Sequence, residues 1–219
     1  MTTEHTTLTL QQQLEALKSK SASAPIAVAA AKAVQDLMAS GLADQSIKQG
    51  EKAPDFVLPD VHGENMQLSQ LLAKGPVVLI FYRGGWCPYC NLALRSYQAI
   101  LPEIQTAGAT LVAVSPQTPD NSLSASEKMK LRFPVLSDSG NTVARAYGLV
   151  FTEASEVQSI RRGMGLDLSK VNGSETGELP IPGSYVIAQD STITLAFIDP
   201  DYRHRLEPAA ILTALEQFK

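Results

Sequence analysis

Val77-Val78-Leu79-Ile80-Phe81-Tyr82-Arg83-Gly84-Gly85-Trp86-Cys87-Pro88-Tyr89-Cys90 contains both cysteines of the chain, and the fold is decided by how it is read. Its first six residues form a β-branched and aromatic run, the pattern of a strand buried on both faces of a sheet. Arg83-Gly84-Gly85 breaks that run, and Asn91-Leu92-Ala93-Leu94 opens a helical pattern. Pro88 suits a first helical position, where its missing N–H costs nothing and its fixed φ helps. Cys87 then falls at the N-cap, where free N–H groups and the positive end of the helix dipole favour a thiolate. The expectation is an exposed Cys87 with a pKa below the free value of about 8.5. Cys90 lies one turn on, on the same face and more buried, which suits a resolving thiol that closes a small disulfide ring.

Three readings of the pair compete: a redox pair, half of a metal site, or two inert core cysteines. A Cys-x-x-Cys at a strand-to-helix junction favours the redox reading. Zinc needs two further ligands, and His5, His62 and His204 are scattered along the chain.

The chain has 219 residues, enough for one good-sized domain with an appendage. A net charge of −4 and the lack of a basic run argue against nucleic-acid binding. Two cysteines in this length do not make a disulfide scaffold. Met1 to Thr7 lacks the basic start and apolar core of a leader. The apolar stretch Ile26 to Ala31 is far short of the roughly 20 residues that span a bilayer. The expectation is a cytoplasmic protein without membrane or nucleic-acid partners.

Leu10, Leu14 and Leu17, then Ala27, Ala30, Val34, Leu37 and Met38, predict two helices split near Ser23 to Pro25, with Gly41 a C-cap candidate. This extension, residues 1–46, packs on its own domain or offers a surface to a second copy. The core, 47–219, begins with a strand or edge hairpin turning at His62-Gly63, followed by a short helix at Leu68 to Leu72. One helix runs from Cys87 to about Thr106 with a kink at Pro102. Strands at Thr110 to Ser115 and Phe133 to Asp138 alternate with helices at Ser122 to Leu131 and Thr142 to Tyr147, which argues for an α/β crossover sheet. From Phe151 to Glu178 the pattern degrades, and residues 151–180 read as an insertion: a solvated surface loop, or a lid whose Arg161 and Arg162 face an anionic substrate. An antiparallel hairpin, Tyr185 to Ala188 and Thr192 to Ile198, and a closing helix, Pro208 to Phe218, complete the chain.

This order of elements resembles the thioredoxin fold. Within it, Gly50-x-x-Ala53-Pro54-x-Phe56-x-Leu58, and Phe133-Pro134-Val135-Leu136-Ser137-Asp138 followed by Ala144-x-x-Tyr147-Gly148, are similar to the peroxiredoxin-like redoxins of the alkyl hydroperoxide reductase and thiol-specific antioxidant family. The resemblance implies a three-layer α/β sandwich with a central mixed sheet behind an N-terminal helical extension. It also implies an antioxidant thiol peroxidase without cofactor or metal. Cys87 would attack a hydroperoxide and become a sulfenic acid, and Cys90 would close the disulfide. Thioredoxin, glutaredoxin or a small thiol would then reduce that disulfide. Arg83 and Trp86 would stabilise or shield the thiolate.

Two places depart from the pattern. Gly84 stands where those peroxidases carry a peroxide-orienting threonine, and Ile80 where they carry a proline. Trp86-Cys87-Pro88-Tyr89-Cys90 instead resembles the centres of thioredoxins and glutaredoxins, and Pro182 sits where those proteins hold a cis-proline beside the cysteines. The alternative reading is therefore a thiol-disulfide oxidoreductase acting on protein or small-molecule disulfides. Arg203 and Arg205 are weaker candidates for reaching the site, and Tyr89 is expected to be exposed.

Overall fold

The computed structural model describes residues 8–218. Met1 to Thr7, read above for a leader, lie outside the described residues. The centre is a five-stranded mixed sheet built from β3 (Val77–Phe81), β4 (Thr110–Ser115), β5 (Val135–Ser137), β8 (Gly183–Ile187) and β9 (Ile193–Ile198), in the order β5-β4-β3-β8-β9. β3 pairs in parallel with β4 and antiparallel with β8, while β4 and β5 are parallel and β8 and β9 form the hairpin. Two small antiparallel pairs flank it: β1 (Val57–Pro59) with β2 (Asn65–Gln67), and β6 (Val150–Thr152) with β7 (Glu178–Pro180).

Every residue of β3 is buried. Strand side chains alternate between faces, and the two cores divide accordingly. Val78, Ile80 and Tyr82 join Leu94 and Tyr97 of α4 (Pro88–Ala99), Ile104 of α5 (Leu101–Thr106) and Ile211 of α10 (Pro208–Leu215). Val77, Leu79 and Phe81 join Leu68 of α3 (Leu68–Leu72) and Val143 and Ala144 of α7 (Thr142–Ala146) on the other face. The result is the expected three layers. Helix α6 (Pro119–Met129) packs beside β5.

The single helix expected from Cys87 to Thr106 is two, because the chain leaves helical geometry at Ile100 (φ −98°, ψ 10°) and Pro102 opens the second. The hairpin turn at His62-Gly63 forms as expected, with the Asp60 carboxylate accepting from the backbone N–H of His62 and Glu64.

The extension forms α1 (Leu10–Ser21) and α2 (Pro25–Ala39), and it packs on its own chain. Leu10 and Leu14 enter the core against α4. Thr9 and Gln12 close a capping box, and the Glu207 carboxylate accepts from the N–H of Leu10 and Gln11 at 3.3 and 2.7 Å. An anion at a helix N-terminus satisfies otherwise orphaned donors and complements the dipole.

The segment 151–180 is more ordered than a surface loop. Its ends pair as β6 and β7, and α8 (Ser155–Gly163) and α9 (Leu168–Asn172) lie between them. Helix α8 packs on α2 of the extension.

Because Leu14 is 1% exposed in the shared core, Leu14→Ala is expected to cost about 2–5 kcal/mol of unfolding free energy. A lowered urea midpoint with an unchanged slope checks this; an unchanged midpoint would show that α1 contributes little to the fold.

Candidate active site

Strand β3 delivers the chain to the cysteines. Tyr82 N–H continues its ladder by donating to the Val114 carbonyl, and the turn follows. Gly84 has φ +139°, a conformation open to glycine and strained for other residues. A Cβ there would lie 2.4 Å from Trp86 Nε1. That approach explains why a threonine is not accommodated at this position. The turn is tied down by Gly85 N–H donating to Gln117 Oε1, Asn91 Nδ2 donating to the Gly85 carbonyl at 2.9 Å, and Cys87 N–H donating to the Gly84 carbonyl at 3.1 Å. Cys87 is the N-cap of α4 and Pro88 stands in its first turn, as the sequence predicts.

The expectation of an exposed, acidic Cys87 is corrected. Cys87 and Cys90 are free thiols, each 1% exposed. Burial pushes the Cys87 thiol well up, and the hydrogen bond and charge shared with Cys90 push it further. Burial also disfavours the Cys90 thiolate, but the hydrogen bond from Cys87 and the charge of Arg205 outweigh it and bring Cys90 well below the usual thiol range. The helix terminus is therefore not the largest influence on the pair. Tyr89 is also buried, edge-on to Tyr202 at 5.5 Å between ring centroids, instead of exposed.

Arg83 is 2% exposed and faces a second partner that sequence reading did not find. Its Nη2 donates to Glu153 Oε1 at 2.6 Å, and Arg161 grips the same carboxylate at 2.9 and 3.0 Å. Burial works against the Arg83 charge, but Cys87 and then Glu153 hold its pKa above the ordinary value. The guanidinium carbons of Arg83 and Arg161 lie 5.1 and 4.6 Å from the Trp86 ring centre, and Arg83 also stacks on Tyr202 at 4.1 Å. Aromatic faces stabilise desolvated cations. Nε and Nη1 of Arg83 and Nε1 of Trp86 are buried donors without a partner.

These side chains line a cavity of about 340 Å³ above Cys87. Ser21, Ile26 and Ala27 of the extension form one wall, and Arg161, Met164 and Leu166 of the 151–180 segment form another. Arg161 of that segment lines the cavity with its charge shared with Glu153, whereas Arg162 is exposed and lines a separate small pocket.

Pro182 is corrected in two respects. There are no cis peptide bonds among the described residues, and Pro182 does not line the cavity. Ile181 N–H, in the link between β7 and β8, donates to the Leu149 carbonyl at 2.7 Å.

Of the loop 199–205, Arg203 pairs with Asp201 at 2.6 Å and His204 with Asp199 at 2.8 Å. Arg205 reaches the site, with Nη2 3.3 Å from Cys90 Sγ. Glu153 and Tyr202 had no usable signal in the sequence, since a lone acid or tyrosine in a polar stretch looks the same whether it faces water or the core.

Breaking a buried ion pair strands the remaining charge, at a cost of about 3–5 kcal/mol. Glu153→Gln should destabilise the fold by about that amount in urea titration and raise the fluorescence response of Trp86 to iodide quenching. A variant as stable as the parent would mean that water already screens the cluster. Gly84→Thr, which restores the threonine of the resembled peroxidases, should lose about 1–3 kcal/mol through backbone strain, and faster peroxide reduction in it would contradict the clash with Trp86.

Residues 49–196 match the model of the AhpC/TSA family. The chain is 33% identical over 103 residues to a Mycobacterium tuberculosis protein assigned as a peroxiredoxin, covering 47% of this chain and 67% of that one. It is 32% identical over 109 residues to the thiol-disulfide oxidoreductase ResA of Halalkalibacterium halodurans, covering 49% and 61%. The crystal structure of the peroxidoxin BcpB from Mycobacterium tuberculosis superposes with a TM-score of 0.62 at 24% identity, covering 79% of this chain and 99% of that one, a likeness of fold. The sheet, the cysteine turn and the match over 49–196 agree: the chain belongs to the AhpC/TSA family and is a peroxiredoxin-like redoxin of thioredoxin fold.

Proposed function

We propose that the protein is a thiol-dependent peroxidase in which Cys87 reduces a hydroperoxide and Cys90 resolves the product. The observation that carries this is the placement of Cys87 at the N-cap of α4, on the floor of a cavity sized for a small molecule. In that role the Cys87 sulfur attacks the terminal peroxide oxygen, the O–O bond breaks, and an alcohol or water leaves once protonated. Cys87 becomes a sulfenic acid. The Cys90 sulfur then displaces that oxygen as water, and the resulting disulfide is reduced by two thiols of an external partner, a thioredoxin, a glutaredoxin or a small thiol. Arg83 and Trp86, with buried donors to spare, are the groups proposed to meet the charge that develops on the leaving oxygen. The apolar walls from Ile26, Ala27, Met164 and Leu166 suit an organic hydroperoxide.

The match to the oxidoreductase ResA and the Cys-Pro-Tyr-Cys centre favour a second reading, exchange with disulfides.

No described helix is long and apolar enough to cross a membrane. A reducing compartment such as the cytoplasm suits a pair held as free thiols. A second copy of the chain would find exposed apolar side chains at Val28 and Met38 on α2.

Rapid mixing of the reduced protein with hydrogen peroxide, cumene hydroperoxide and a small disulfide separates the two readings. The peroxidase reading expects loss of both free thiols faster than a free thiol reacts, with cumene hydroperoxide ahead of hydrogen peroxide. Peroxide rates no better than a free thiol, beside a ready reaction with the disulfide, would overturn it.

A further inference from the structure

In the resting dithiol, charge and access fall on different sulfurs. Cys87 lines the cavity and Cys90 does not. The arginine that faces Cys87, Arg83, already shares its charge with Glu153 at 2.6 Å. Arg205 is also buried, at 8% exposed, and forms no ion pair with a carboxylate among the described residues. Its Nη1 is anchored on the carbonyls of Tyr202 and His204, which aims Nη2 at Cys90 Sγ, 3.3 Å away. An opposite charge within hydrogen-bond reach favours the ionised form of a thiol, so a buried guanidinium with no carboxylate selects a thiolate as its partner.

We propose that Arg205 keeps Cys90 as the charged sulfur of the resting pair, and that Cys90 is the base that activates Cys87. The second half of this rests on the peroxidase reading. Cys90 thiolate takes the proton of the Cys87 thiol, which stands at the N-cap of α4 one turn before it. The Cys87 sulfur then attacks the terminal oxygen of the hydroperoxide. The O–O bond breaks, the electron pair leaves on the alkoxide, and the alkoxide takes its proton from the Cys90 thiol. Cys87 is now a sulfenic acid and Cys90 is again a thiolate beside Arg205. Attack of that thiolate on the Cys87 sulfur forms the disulfide and expels hydroxide, which water protonates. The two sulfurs lose two electrons and the peroxide gains two. Cys90 is thus base, acid and nucleophile in turn, and Arg205 steadies each state in which it is charged.

The titratable and charged groups facing Cys90 are Cys87, Arg83, Tyr82, Tyr97 and Arg205. Thiolate absorbance against pH on reduced single-cysteine variants isolates the pair, since serine keeps a hydroxyl donor in place of the missing thiol. Cys87→Ser should carry a thiolate at neutral pH, whereas Cys90→Ser should ionise only above the free thiol value of about 8.5. Adding Arg205→Met to Cys87→Ser should raise the Cys90 ionisation by at least about one pH unit, and Arg205→Lys should restore part of it. Circular dichroism verifies the fold of each variant, and if Arg205→Met is unfolded, Arg205→Lys against the parent makes the same comparison. A Cys90→Ser protein that ionises below the free value while Cys87→Ser does not would overturn the assignment of charge.

The base step is read separately. Sulfenic acid formation at neutral pH should be about a hundredfold slower in Cys90→Ser than the first step in the parent, and the gap should close as pH passes the ionisation of Cys87. An equal rate at neutral pH would overturn the base role. A parent inert to hydroperoxide would overturn the peroxidase reading and the base role with it, while the titration would still decide which sulfur Arg205 charges.

Discussion

Burial of β3 on both faces is the constraint from which the site follows. Val78, Ile80 and Tyr82 enter the core beneath α4, α5 and α10, while Val77, Leu79 and Phe81 enter the core beneath α3 and α7. A slip of one residue would exchange the two sets and expose neither core to its intended partners. The strand is therefore held in register by β4 on one side and β8 on the other. The turn that follows begins from a fixed point, and with Gly84 in its glycine conformation it places Cys87 at the start of α4.

What surrounds that point is an electrostatic problem. Two arginines, Arg83 and Arg205, act on the two buried sulfurs, and a third, Arg161, meets Arg83 at the buried carboxylate of Glu153. Burying an unpaired charge is costly unless other groups replace water. Here Glu153 and the faces of Trp86 and Tyr202 replace it for Arg83 and Arg161, and two carbonyls and a sulfur replace it for Arg205. The same contacts connect the helical extension and the 151–180 segment to the cysteines, because Arg161 lies on α8, which packs on α2. Two walls of the cavity are in this sense built from the parts of the chain with the weakest sequence pattern.

The site also differs from the thioredoxin-like centre that its Trp-Cys-Pro-Tyr-Cys suggests. In an open centre the first cysteine both meets its partner and carries the charge. Here the cavity reaches Cys87 while the unshared arginine reaches Cys90. A side chain at Gly84 would meet the Trp86 ring, and its φ of +139° favours glycine.

By itself the sequence determined what depends on near neighbours along the chain. The apolar run 77–82 made a buried strand, Pro88 and the following pattern started a helix at Cys87, and the alternation of elements gave an α/β crossover sheet. Tertiary structure decided what depends on distant segments. Local caps argued for an exposed, acidic Cys87, but α2 and α8 cover it, and desolvation outweighs the pull of a helix terminus. Pro182 in sequence matched a cis position, yet no described peptide bond is cis. Arg205 stands 115 residues from Cys90 and looked like one more charge in a polar loop. Only the closing of β9 and α10 over the sheet brings it to the sulfur, because burial and charge pairing are set by which segments meet, and spacing along a chain does not carry that information.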